Sequence, residues 1–206
     1  MMTKHVLVPI ADGSEDMEVV IISDILRRAG IEVTLASVGK QRQLTFAHGL
    51  KVTADAMLSD VTTQEFDMIV LPGGLPGAEH LRDSEELTAI LKAQREAQKW
   101  VAAICASPVL VLMHHGLDKD AYITCHSSCH EQLDEEYGMP NEAVVVDEHE
   151  MLITSQGPGT AMRFALTLIE ELLGFDAADD VEAPLCIFED VYDEEEITEG
   201  SCDPSN

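Results

Sequence analysis

The chain's strongest chemical signal lies in VAAICASP, residues 101 to 108, where an apolar run ends at Cys105. The neighbours Ala103, Ala106 and Ser107 are small, and Pro108 opens the next segment. A buried strand that turns sharply into a helix tolerates only small residues around the turning position, so the layout is that of a nucleophile elbow. Amide hydrogens and the dipole at the start of the following helix favour an anion, which predicts a thiol shifted down toward the thiolate. Read alone, the same cysteine also suits a small buried hydrophobe at a strand end. Glu18, in the first turn after ADGSED, is either a proton relay for that sulfur, if its turn faces the elbow, or one of the acids common at helix starts. Gly73 and Gly74 follow an apolar run. A backbone without side chains there can approach a ligand or aim amides at a developing oxyanion, or simply turn.

A third cluster, Cys125-His126-Ser127-Ser128-Cys129-His130, carries the residue types of a zinc or haem site at spacings that suit neither. No metal is expected. His126 is read as a second acid/base or polar contact in the Cys105 pocket, and Cys125 or Cys129 as a candidate resolving thiol should Cys105 oxidise.

These residues need a scaffold that brings strand ends together. Short β-rich runs alternate with helical patterns, the signature of parallel βαβ units. His5 to Ile10 is the first strand. Met17, Ile21, Ile25, Leu26 and Ala29 recur at helical spacing until Gly30, with Asp12 and Glu15 placed as a capping box. Strands are predicted over Glu32 to Val38, Phe66 to Leu71, Trp100 to Ile104 and Ala121 to Thr124. A hairpin is expected over 42 to 54 around His48-Gly49, and another from Val144–Val146 with Met151–Thr154. Helices are predicted over Ser84 to Lys99, Pro108 to His114 and Pro158 to Leu173, the last stopped by Gly174. In open parallel sheets functional groups gather at the carboxyl ends of strands, where ADGSEDME, LPGG and AICAS all fall.

The 206 residues suit one domain, expected over 1–189, with a core built from aliphatic side chains, since only 4% of the chain is aromatic. From 190 to 206 dense acidic charge with Gly, Ser and Pro predicts a disordered tail, and its Cys202 is read as an incidental thiol. Twelve basic against 39 acidic residues give a formal charge of −27, which argues against nucleic acid or an anionic membrane as a partner. The first apolar run stops at Ala11, too short for a secretory signal, and no stretch approaches the roughly 18 to 20 apolar residues of a membrane span. Five cysteines at irregular spacing do not form a disulfide framework. A cytoplasmic, reduced setting is expected.

Taken together, VLVPIADGSEDMEVVIISDILRRAGIEVTLAS, DMIVLPGG with GA following, AAICASPVLV, LITSQGPGTAMRFAL and VEAPL resemble, in order and spacing, the DJ-one/ThiJ branch of the ThiJ/PfpI superfamily. The resemblance covers Lys4 to about Glu189. It implies a flavodoxin-like α/β three-layer sandwich with a mostly parallel central sheet, usually a homodimer, with Cys105 as nucleophile, Glu18 as its partner and His126 as the third pocket residue. It also carries the oxyanion pocket to Gly74 and Ala106, and matches Arg28 and Gly157-Pro158 to positions near the pocket and the dimer contact. His48 stands where some relatives have an arginine, and the paired cysteines around His126 are not a family feature. The activity implied is that of a cofactor-free glyoxalase or deglycase acting on small reactive aldehydes and their glycated adducts. The alternative is an oxidative-stress sensor or chaperone using a Cys105 sulfinate. Peptidase or amidotransferase chemistry, which in related branches places a histidine directly after the nucleophile, meets Ala106 instead.

Overall fold

Strand β1 (His5–Ile10) forms where expected because its side chains alternate between two apolar layers: Val6, Val8 and Ile10 enter one, Leu7 the other. The computed structural model describes residues 3–187. The remaining elements follow as α1 (Asp16–Arg28), β2 (Glu32–Ser37), β3 (Gln43–Thr45), β4 (Lys51–Thr53), β5 (Ala56–Met57), β6 (Met68–Leu71), α2 (Gly77–Arg82), α3 (Glu85–Glu96), β7 (Trp100–Ile104), β8 (Val144–Asp147), β9 (Leu152–Ser155), α4 (Ala161–Leu173) and α5 (Phe175–Glu182).

The main sheet has seven strands in the order β5-β2-β1-β6-β7-β9-β8, all parallel except the β8–β9 pair. Both faces are covered, as a parallel sheet requires. Trp100, Ala102 and Ile104 of β7 pack with α1 and α4 through Ile22, Leu26, Phe164 and Leu168. Val101 and Ala103 face the other layer, with Leu81 of α2, Leu87 and Leu91 of α3, and Val111 and Leu112. This is the three-layer sandwich of the flavodoxin-like class. Strand order places β6 between β1 and β7, so the Pro72-Gly73-Gly74 loop emerges between the segments that carry Glu18 and Cys105.

Several local expectations are revised. The cap of α1 is Glu15, whose side chain accepts the Glu18 amide at 2.7 Å, while Asp12 instead accepts the Thr45 amide at 2.7 Å. The Asp12–Glu15 capping box does not form because the β3–β4 hairpin claims Asp12. Residues Ala121 to Thr124 make no strand of the sheet, only a single bridge between Ile123 and Gly138. The segment after Cys105 is a wide π-turn over Pro108–Leu112 continued by a 3-10 turn over Met113–His115. Helix α2 follows the Pro72-Gly73-Gly74 loop in a stretch to which the sequence pattern assigns no element. It is shaped by tertiary contact, since a Cβ on Gly77 would lie 2.4 Å from the Ser14 amide nitrogen. Gly174 (φ +94°) ends α4 as expected, and α5 starts directly after it. The predicted tail, 190 to 206, and Cys202 lie outside the described residues.

Candidate active site

Cys105 is held at the carboxyl end of β7 by bonds on both sides. Its amide donates to Ser155 O at 3.0 Å, and its carbonyl accepts the His126 amide at 2.8 Å. Between them its backbone adopts φ +65°, the left-handed region that side chains other than glycine disfavour by about 1–2 kcal/mol. Such conformations persist only where surrounding bonds over-determine them. The turn swings the side chain toward the glycine loop: a Cβ on Gly73 would sit 2.5 Å from Cys105 Cβ, 2.9 Å from its sulfur and 3.1 Å from Glu18 Oε2. Only glycine fits there. Gly74 (φ +87°) is equally constrained, since its Cβ would meet the Glu15 amide nitrogen at 2.4 Å.

Glu18 is the third residue of α1 and fully buried. Its Oε2 accepts the Gly73 amide at 2.7 Å, it shares a hydrogen bond with Cys105, and Oε1 is buried without a partner. Burial pushes the carboxyl up from an ordinary 4.5 to about 7; the Gly73 amide opposes the rise, the Glu15 charge adds to it, and the Cys105 hydrogen bond opposes it. The Cys105 thiol is pushed up to about 12, first by burial and then by the Glu18 charge, with the amides of Gly74 and Ala106 pulling the other way. This corrects the expected depressed thiol. The two amides do bond the sulfur, but at 9% residue exposure and beside a carboxylate they are outweighed. The sulfur and carboxyl are therefore coupled groups that disfavour holding two negative charges at once. When Glu18 carries the proton, its repulsion of the thiolate vanishes and it becomes a donor toward the sulfur.

His126 lies half-buried beside the elbow, and its ring is fixed by its own turn. Nδ1 lies 3.2 Å from the Ser128 amide nitrogen and 2.9 Å from Ser128 Oγ. Because an amide can only donate, Nδ1 accepts, and the neutral ring carries its proton on Nε2. A Cβ on Gly157 would come within 3.3 Å of His126 Cδ2, so Gly157, which precedes Pro158, makes room for the ring.

The structure thus brings together Cys105, Glu18, Gly73, Gly74 and Ala106, with His126 and the Gly157-Pro158 turn alongside. It separates Arg28, which ends α1 and pairs with Asp24 at 2.7 Å. Ten residues of helix, about 15 Å, lie between Glu18 and Arg28, so within one chain Arg28 does not reach the sulfur. Gly73 also changes role: its amide holds Glu18 and is not aimed at an oxyanion. Cys125 and Cys129 are both buried, and burial pushes Cys125 up to about 12. Among the described residues no group of three or more His, Cys, Asp or Glu side chains is placed to hold a metal ion. Two surface clefts, of about 620 Å³ between α4 and α5 and about 530 Å³ beside Arg82 and His115, lie away from the thiol.

Three residues at the site were not singled out from the sequence as site residues. Glu15 holds the amide of Glu18, Ser128 fixes the His126 tautomer, and the hydroxyl of Ser107 reaches Pro72 O at 2.5 Å. The Glu-x-x-Glu spacing of 15 and 18 is a readable signal. The other two carry none.

Residues 4–171 match the family model described as DJ-1/PfpI family. The chain is 42% identical over 197 residues to Protein DJ-1 homolog B of Arabidopsis thaliana, an alignment covering 96% of this chain and 44% of that protein. It thus spans about half the length of the Arabidopsis relative. It is 34% identical over 183 residues to Glutathione-independent glyoxalase DJR-1.2 of Caenorhabditis elegans, covering 88% of this chain and 95% of that one. Among solved structures it is similar to Toxoplasma gondii DJ-1, oxidized, with a TM-score of 0.86 and 41% identity over 89% of this chain and 98% of the other. No helix among the described residues is long and apolar enough to cross a membrane.

Proposed function

The chain belongs to the DJ-1/PfpI family, and from that premise we propose that it is a cofactor-independent glyoxalase and deglycase acting on methylglyoxal, glyoxal and their early adducts. The observation that carries this reading is the buried Glu18 carboxyl, raised to about 7 and hydrogen-bonded to the Cys105 sulfur, because it is a proton carrier poised at neutral pH against a nucleophile. A relative of this family is named a glutathione-independent glyoxalase.

The residues suit each step. Cys105 sulfur adds to the aldehyde carbon, and the thiol proton passes by way of Glu18 to the new oxygen, giving a neutral hemithioacetal. The Gly74 and Ala106 amides that now bond the sulfur are near enough to favour negative charge in its vicinity. Glu18 and His126 then move a proton from the former aldehyde carbon to the neighbouring ketone carbon through an enediol. One carbon is oxidised as the other is reduced, so no external oxidant enters. The product is a thioester of a hydroxy acid on Cys105, which water hydrolyses to release lactate and the thiol. His126, with Nδ1 occupied by Ser128, would work through Nε2. The slight exposure of Cys105, 9%, suits small aldehydes as the electrophile. Replacing Cys105 by Ser is expected to abolish lactate formation from methylglyoxal in the purified protein. Full turnover in that variant would end the proposal.

A second reading uses the same pocket: peroxide converts Cys105 to a sulfinate that accepts hydrogen bonds from protonated Glu18 and the two amides, making the protein an oxidative-stress sensor or redox-regulated chaperone. The similar structure of oxidized Toxoplasma gondii DJ-1 favours it. A homodimer is also proposed, built on the outward face of α1, where Met17 is 52% and Val20 47% exposed beside Leu50 at 41%.

A further inference from the structure

Ser107 is fully buried, yet its hydroxyl caps no helix. It donates instead to Pro72 O at 2.5 Å, across to the loop that follows β6. Pro72 immediately precedes the two glycines whose amides meet the reacting groups: Gly73 holds Glu18 Oε2 at 2.7 Å, and Gly74 bonds the Cys105 sulfur. Ser107 itself lies two residues beyond Cys105, next to Ala106, whose amide also bonds the sulfur. One hydroxyl therefore ties the elbow to the loop at the point where both deliver donors. The other bonds that hold the loop, Glu15 N to Gly73 O at 3.0 Å and Gly77 N to Gly13 O at 3.1 Å, anchor it to the α1 side only. No mobile side chain can substitute at the elbow side, since Gly73 and Gly74 have none.

We infer that Ser107 is a positioning residue for the reaction, setting the distance between the Gly73-Gly74 amides and the Cys105–Glu18 pair. The inference rests on the reading of that pair as the reacting groups. Without the tether the loop relaxes toward α1 and its amides withdraw from the sulfur, so the thiol loses a hydrogen bond that favours its ionised form. The charged and titratable groups around the pair are Glu15 on the α1 side, His48 of the β3–β4 hairpin, whose Nε2 lies 3.9 Å from Glu15 Oε1, and His126 on the far side of the elbow. None of them contacts Ser107 through a hydrogen bond or ion pair among the described residues.

The test is the pH profile of Cys105 alkylation by iodoacetamide, followed by mass spectrometry of the peptide carrying residue 105, in the wild type, Ser107→Ala and Ser107→Thr. Loss of a charge-assisted hydrogen bond is expected to move the midpoint up by about one pH unit in Ser107→Ala, or about tenfold slower alkylation below the midpoint. Lactate formation should fall in kcat with KM little changed, because the groups displaced act on the reacting atoms. Ser107→Thr, which keeps the hydroxyl, should restore the profile. A folded Ser107→Ala with an unchanged alkylation profile overturns the inference, even if its melting temperature falls, since that would mark a bond of stability alone. If Ser107→Ala does not fold, Ser107→Cys, with a weaker donor of like shape, is judged by the same profile. Alkylation needs no substrate, so a wild type that makes no lactate refutes the glyoxalase reading while leaving the role of Ser107 to be decided by the profile.

Discussion

Replacing Glu18 by Gln should make the protein more stable and inactive at once. The carboxyl ionises near its ordinary 4.5 in the unfolded chain and near 7 in the fold. Between those values the unfolded chain has released a proton that the native state still holds, so stability falls as pH rises. The contribution is fully present below 4.5 and gone once the pH has passed about 7. At about 1.4 kcal/mol per pH unit, that interval amounts to about 3 kcal/mol, a large part of the 5–15 kcal/mol of an ordinary domain. Glutamine does not titrate. Its side-chain oxygen can keep the 2.7 Å bond from the Gly73 amide, and its NH2 group would stand where Oε1 is now buried without a partner. Urea unfolding of both proteins from pH 4 to pH 8 isolates the effect, because every other titrating group cancels in the difference. The variant should gain about 3 kcal/mol on the wild type across that range, or about 6–12 °C in Tm at the alkaline end. Removing the Glu18 charge also removes one cause of the raised thiol, so Cys105 should alkylate faster at neutral pH while lactate formation is lost. A stability difference that stays flat with pH would refute the claim that burial raises this carboxyl.

Three further outcomes follow from the same structure. Met17→Asp, which places a charge on the exposed apolar face of α1 and leaves the buried face intact, should convert a dimer to a monomer in sedimentation equilibrium; unchanged mass would remove that face as the contact. Mild peroxide should add two oxygens to Cys105 selectively. Peptide mapping after the same treatment tests the resolving role of the buried Cys125 and Cys129: a bridge from Cys105 to either establishes it, and the absence of both removes it.

Much of the fold was legible because its signals are local. The apolar runs of β1 and β7 end where their sequence patterns end, and the helical periodicity of α1 and α4 survives because each buries one face against the same layer of the core. Where neighbours in space intervene, legibility failed. Asp12 reads as a helix cap and is taken by Thr45, 33 residues away. The stretch from Leu75 to Asp83, to which the sequence pattern assigns no element, holds α2, since Gly77 lies against the Ser14 backbone. At the site, Cys105, Glu18 and the two glycines could be picked out by residue type and by their place after apolar runs. Ser107 and Ser128 could not, because a serine's role depends on which acceptor or donor it meets.

By itself the sequence determined the main strands and the long helices, the cysteine at the end of a strand and the acidic charge, all consequences of composition and of spacing over a few residues. Only the tertiary structure decided that Glu18 and Cys105, 87 positions apart, share one hydrogen-bonded pocket, through a strand order that sets β6 and its glycines between them. It also reversed the expected direction of the thiol. The helix amides near Cys105 can be read from its neighbours, whereas the burial and the carboxylate charge that outweigh them belong to residues that are close only after folding.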